Sequence, residues 1–507
     1  MTPLSRRAAW RLAGALCGCA ALAGCMVGPN YRTPDAPTTD SFTAQPMPDQ
    51  TASAPGASGA AQRFAPGADI PAEWWSLYHC APLDTLIREA LANSPNLAAA
   101  QAALRQAHQT YLAQVGGSLL PQVDGKLGAT REKINGVTFG EPGLTEDLNL
   151  YNTGIDVSYN LDVFGASRRS VEASRAQEEY ERWQLQATWL TLTSNIVTAA
   201  IKEASLRAQI EATEQIADAE AQQLHVLEQQ FALGGVARTS VLSQETLVAQ
   251  TRATLPPLRQ SLDQTRDQLA MLAGRLPSEA SLPEFRLDMF TLPDTVPVSV
   301  PSSIVHQRPD ILAADATLHQ ASAQVGVATA AMYPQLNLTA SWGTEALTPA
   351  GAFQAGNTIW SIGAGLTAPL FHGGQLLAKK RAAEAAYDEA AAQYRQTVLQ
   401  AFQNVADSLR ALDHDATGLK AQDDAWRAAS DSLQLTQGQY KIGGVSYLSL
   451  LDAQRQYQQA VVNLAQARAA RYSDTAALIQ SLGGGWWNEA AATPAAGTPA
   501  SATGTTQ

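Results

Sequence analysis

Charge, cysteine and long apolar runs are all scarce in this chain, and each scarcity excludes something. Only 16% of the 507 residues are charged, and 34 Lys and Arg against 46 Asp and Glu leave a formal charge of −12. An acidic chain without a basic tract is no partner for nucleic acid. Beyond residue 25 no apolar run reaches the roughly 18 residues that mark a membrane-crossing helix. The seven histidines are scattered, with no two at metal-ligand spacing beside acidic or thiol partners. No nucleophile, base or metal cluster stands out. The composition points away from an enzyme and predicts no metal.

The first residues are a different matter. Arg6, Arg7 and Arg11 precede an apolar core from Leu12 to Leu22, and Leu22-Ala23-Gly24-Cys25 follows. This has the form of a bacterial lipoprotein signal over residues 1–24, with Cys25 as the acylated first residue of the mature chain, carrying diacylglyceryl and N-acyl groups. Removing the signal removes Cys17 and Cys19. With Cys25 lipidated, only Cys80 remains, so no intrachain disulfide is expected. Residues 25–73, rich in Pro, Ala, Ser and Thr, read as a flexible linker between the lipid and a body that begins at Trp74-Trp75.

The centre of the chain is built on heptads. Ile210, Thr213, Ala217, Glu220, Leu224, Leu227 and Phe231 follow one another at alternating steps of 3 and 4, and only Glu220 breaks the seam's character. No Pro interrupts Ser167 to Leu233, so one helix of about 65 residues is predicted, about 100 Å long. It stops at Gly234-Gly235, and Leu255, Leu258, Leu262, Thr265, Leu269 and Leu272 carry the return. The period changes to two in Tyr151, Thr153, Ile155, Val157, Tyr159 and Leu161, a strand with one apolar and one polar side. Ten or so tilted residues of that kind are enough to cross a bilayer.

The whole pattern then recurs at an offset of about 210 residues. Ser94-Pro95-Asn96-Leu97 is echoed by Arg308-Pro309-Asp310-Ile311, Leu120-Pro121-Gln122 by Tyr333-Pro334-Gln335, and Phe231 to Val236 by Tyr440 to Val445. A first repeat spans 74–274, with strands near 120–130 and 151–161 and a long helical hairpin at 166–274. A proline-rich joint, 275–303, leads to a second repeat, 304–487, with strands near 335–343 and 359–368 and a hairpin at 375–483. Residues 488–507 read as a disordered tail. Four amphipathic strands cannot close a membrane barrel alone, because open edges are not tolerated in hydrocarbon and known barrels need about eight strands or more. Spanning strands therefore require an oligomer.

These motifs in this order resemble the TolC-like outer membrane factors, in particular the lipoprotein branch serving RND-type tripartite efflux. Trp74-Trp75, the Pro-Gln pairs before the strands, Leu161-Asp162-Val163-Phe164-Gly165, Pro369-Leu370-Phe371-His372-Gly373-Gly374, the run Tyr440 to Arg455 and Leu482-Gly483-Gly484-Gly485-Trp486 carry the likeness. The resemblance implies a mainly α protein with membrane β. Its homotrimer forms a 12-stranded β-barrel continuous with a long periplasmic α-helical barrel, lipid-anchored in the bacterial outer membrane. It implies a passive conduit for drugs or other small toxic solutes, partnered by a periplasmic adaptor and an inner-membrane RND-type pump. Type I protein secretion is the alternative cargo, and a non-conducting periplasmic scaffold the alternative class. Phe164, Gly165, Phe371 and Gly373 would turn strand into helix. Gly234, Gly235, Gly443 and Gly444 would mark the periplasmic tip and aperture. Ser240, Ser449 and Val445 stand where relatives often carry charge, so Tyr440, Lys441, Tyr447, Asp452 and Arg455 are the expected tip contacts, with tyrosine packing and the Asp452 and Arg455 charges holding it shut. Asp156 and Asp162 are expected to be pore-facing.

Overall fold

The structure is a computed structural model that describes residues 26–135, 137, 143, 145–279 and 281–488. The signal at 1–24, Cys25 and the tail from 489 lie outside the described residues. Nine α-helices and six strands are described, and two compact units divide them. Each unit draws on both sequence repeats, so the units and the repeats cut the chain differently.

Among the described residues the first unit takes 26–34, Ala102–Arg182 and Ala313–Gln396. It holds a four-stranded antiparallel sheet of β2 (Gln122–Asn135), β3 (Thr145–Leu161), β5 (Gln335–Ala346) and β6 (Thr358–Thr367), in that order. Register sets Val123 against Val157, Ile155 against Trp342, and Trp342 against Trp360. Strands are side-alternating, so one face collects Val123, Ile155, Val157, Trp342, Trp360 and Ile362. The other collects Asp124, Asp156, Ser158, Thr339, Ser341 and Ser361. The β2–β3 hairpin reaches well past the expected strand ends. Its outer half pairs Glu132 with Leu148 and Ile134 with Glu146. Ladder hydrogen bonds continue there without an apolar alternation to announce them.

Among the described residues the second unit takes Asp35–Gln101, Trp183–Leu312 and 397–488. Its core is aromatic: Trp74, Trp75, Tyr78, Phe285, Phe290 and Tyr472 are buried. The Tyr78 hydroxyl donates to the Tyr472 carbonyl at 2.7 Å, and the Tyr472 hydroxyl to the Phe290 carbonyl at 3.1 Å. Buried phenols thus have partners, as buried polar groups require. A short parallel pair, β1 (Arg63–Pro66) with β4 (Thr295–Val298), joins the leading segment to the inter-repeat segment.

Two long helices, α3 (Ala166–Ala232) and α8 (Gln375–Lys441), have 67 residues each. Val398, Val405, Leu409, Leu412, Ala416 and Leu419 are buried along α8, and Ile210, Thr213, Ala217, Glu220 and Leu227 along α3. The return after α3 is not one helix. It divides into α4 (Arg238–Ala253) and α5 (Leu255–Leu272), with Pro256 in the first turn of the latter. Two successive prolines without N–H groups interrupt the ladder there. After α8 the return, α9 (Tyr447–Ser481), is continuous.

The described part of the expected linker, residues 26–73, has anchor points in each unit. Within the first unit, Val27 donates its N–H to the Phe164 carbonyl at 3.1 Å, Arg169 reaches the Asn30 side chain at 2.7 Å, and Tyr31 stacks on His319 at 4.4 Å. Within the second, the fully buried Gln62 donates to Thr475 at 3.1 Å, and Arg471 reaches Thr51 and the Ala60 carbonyl at 3.2 and 3.3 Å. The segment is a strap. It is held by hydrogen bonds from buried side chains, a source of order that apolar content does not register.

Candidate functional site

The helix turns have the same construction in both repeats. Gly234 sits at φ 79° and Gly443 at φ 76°, the left-handed region that a side chain enters at a cost. Gly235 N–H bonds the Gln230 carbonyl and Gly234 N–H the Phe231 carbonyl, at 2.8 and 2.9 Å. Gly444 and Gly443 do the same to Gln439 and Tyr440, at 2.8 and 3.0 Å. These are Schellman closures, which satisfy the last carbonyls of α3 and α8. The chain re-enters α9 through Ser446, whose hydroxyl accepts the Ser449 N–H at 3.2 Å. Ser449 is therefore part of a helix cap. At the matching place in α4, Ser240 donates its N–H to the Ala237 carbonyl at 3.0 Å.

One tyrosine, Tyr447, joins the two hairpins. The Tyr440 and Tyr447 rings pack at 5.7 Å, and the Tyr447 hydroxyl donates to the Gln244 side chain. Gln244 in turn donates to the Glu220 carbonyl at 2.9 Å. Burial pushes both phenols above their ordinary range, so they stay neutral donors. Asp452 and Arg455 are exposed, and among the described residues neither forms an ion pair within the chain. Lys441 and Val445 flank the turn, exposed and half-buried. Leu233, Ile442 and Leu448 leave an apolar surface there, with Leu233 at 88% exposure.

The strand-to-helix corners differ from each other. Phe164 stacks on Tyr333 at 4.8 Å, and Gly165, at φ 85°, lets Met26 approach so closely that a Cβ would clash with it. Phe371 is exposed, and Gly373 turns at φ 57° in open space. Asp162 is not the pore-facing carboxylate expected. Its oxygens accept the Ser167 and Arg168 N–H groups at 3.1 and 2.9 Å, and the Arg168 guanidinium at 3.1 Å. It caps α3, where the free N–H groups and the helix dipole favour a negative charge. Asp156 stays on the polar sheet face, paired with Lys126 at 2.8 Å.

Gln244 and Asp162 had no distinctive spacing in the sequence. Glu220 did carry a signal, as the one charge in an apolar seam. Cys80 is 6% exposed, and burial pushes its thiol pKa up, which makes it a poor nucleophile. Among the described residues no group of His, Cys, Asp and Glu is placed to hold a metal ion, and no helix is long and apolar enough to cross a membrane.

A two-faced sheet with open edges, together with 67-residue helices paired into hairpins, defines a protein of the outer-membrane channel class. The chain belongs to the outer membrane efflux protein family, which matches it over residues 86–275 and 300–484. It is 32% identical over 424 residues to the pyoverdine export outer membrane protein OpmQ of Pseudomonas aeruginosa, covering 82% of this chain and 88% of that one. It is 28% identical over 478 residues to the cation efflux system protein CusC of Escherichia coli, covering 93% and 98%. The structure of the outer-membrane channel OprN superposes with a TM-score of 0.82 at 27% identity, over 91% of this chain and all of that one. The protein has the TolC-like fold and is the outer-membrane channel component of a tripartite efflux or export system. Such channels are not enzymes.

Proposed function

We propose that three copies of this chain assemble into a passive outlet for drugs or other small toxic solutes. A periplasmic adaptor would join it to an inner-membrane RND-type pump that supplies the energy. The observation that carries this reading is the sheet in the first unit. Among the described residues, strands β2 and β6 each lack a second neighbour, and the face bearing Trp342, Trp360 and Ile362 is uncovered. Unpaired backbone edges beside an apolar face are untenable in hydrocarbon, and three such sheets joined edge to edge would make a closed barrel of 12 strands with its polar face inward. The cargo class is supported by relatives named for pyoverdine export, toluene efflux and cation efflux, all small solutes.

Acylation of Cys25 would anchor the chain from the periplasmic side of the outer membrane. Met26 packs on Gly165 at the end of β3 and start of α3, which supports a lipid placed where the strands end. At the glycine turns, the Tyr440–Tyr447 pair would close the aperture, with Asp452 and Arg455 free to pair between protomers. The test is native mass and planar-bilayer conductance of the purified protein. A trimer with steady ohmic steps is expected. A monomer that gives no conductance overturns the reading.

A further inference from the structure

We propose that a cavity of about 210 Å³ lined by α3, α8 and α9 is a binding site for a small organic cation, a primary ammonium on a short aliphatic body. Glu220 and Gln454 line it, at 2% and 8% exposure. Both Glu220 carboxylate oxygens and the Gln454 side-chain oxygen are buried without a hydrogen-bond partner among the described residues. An unpaired buried acceptor costs the full loss of its hydration, and the two lining residues that carry these three atoms share one need, a donor. Among the described residues no Lys, Arg or His lines the cavity, so a ligand must bring the positive charge as well as the N–H groups. An ammonium supplies three donors. Ile216, Leu433 and Val461 complete the wall with apolar surface that suits a short alkyl chain.

The seam makes the carboxylate's position unusual. Glu220 stands at a heptad position whose neighbours, Ala217, Leu224 and Leu227, are small or apolar. Burial pushes its pKa up, and the Thr251 side chain opposes that rise without giving either oxygen a full hydrogen bond. A hard divalent ion is a poor fit, since such ions gather several oxygen ligands and usually more than one carboxylate. A monovalent donor with an apolar body uses every wall of the cavity. Its seat is connected to the turns, because Gln244 bonds the Glu220 carbonyl and accepts the Tyr447 hydroxyl.

The test is calorimetric titration of the purified full-length protein in maltoside with n-butylammonium chloride, with n-butanol and sodium chloride as controls. Saturable binding of butylammonium is expected, with none for butanol or sodium. Glu220→Gln, which keeps the shape and removes the charge, should weaken it about ten-fold or more, the size of one charge-assisted hydrogen bond. Ile216→Trp, which fills the cavity and keeps the carboxylate, should abolish it, and decides the matter if the first variant does not fold. Absence of saturable heat in the unaltered protein, or equal binding by both variants, overturns the proposal. So does an experimental structure in butylammonium that shows water alone beside Glu220.

Discussion

Gly443 is held at φ 76° with open space where a Cβ would stand, so its demand is conformational and not steric. Forcing an L-residue into that region costs about 1–2 kcal/mol. Gly443→Val should therefore loosen the turn locally by about that amount. Amide exchange should quicken across 439–446 and stay unchanged in the sheet, and equal exchange in both proteins would count against the turn's dependence on glycine. Asp474 poses a different residue-scale question. Burial, then the neighbouring Asp415 carboxyl, push its pKa up to about 8, with Arg471 opposing. An ordinary Asp titrates near 3.9. Between those values the folded state binds more protons than the unfolded one, so this group's contribution to stability falls as pH rises from about 4 to about 8. Asp474→Asn should gain thermal stability relative to the unaltered protein as pH rises from 5 to 9, and a gap that narrows would refute the assignment.

At the scale of elements, periodicity made the long helices and their turns legible, because a heptad seam and a Gly-Gly stop are local signals. The break at Thr254 was hidden by the same signal: Leu255, Leu258 and Leu262 keep the spacing straight through Pro256-Pro257. The outer half of the β2–β3 hairpin and the strap at 26–73 were invisible for another reason. Both are held by backbone and side-chain hydrogen bonds, which have no period. Asp162 belongs with them, since a cap is recognisable only once the helix start is fixed. Its role predicts a measurable loss. Asp162→Ala removes two N–H acceptors and the partner of Arg168, and should cost about 0.5–2 kcal/mol of stability. Asp162→Asn should recover most of that by capping without charge. Denaturant midpoints of the two variants check it, and an Asn variant as weak as the Ala variant would point to the Arg168 ion pair instead.

For the whole molecule, the proposed trimer rests on which face of the sheet meets lipid. Ser361 and Ile362 are adjacent in β6, equally near its open edge, and point to opposite faces. Edge effects therefore cancel between them, and only the face differs. Ser361 shares a 2.8 Å hydrogen bond with Ser341 on the polar side, while Ile362 is 80% exposed on the side bearing Trp342 and Trp360. An arginine on a lipid-facing strand position costs up to about 2–4 kcal/mol, in each of three copies if the assembly is trimeric. Ile362→Arg should then deplete the heat-modifiable oligomer from outer-membrane fractions. Ser361→Arg should leave that oligomer in place and shift single-channel selectivity toward anions, because its charge would enter the conduit. The reverse pattern would turn the sheet inside out. Equal loss in both variants would show that the strand edge, and not its faces, governs assembly.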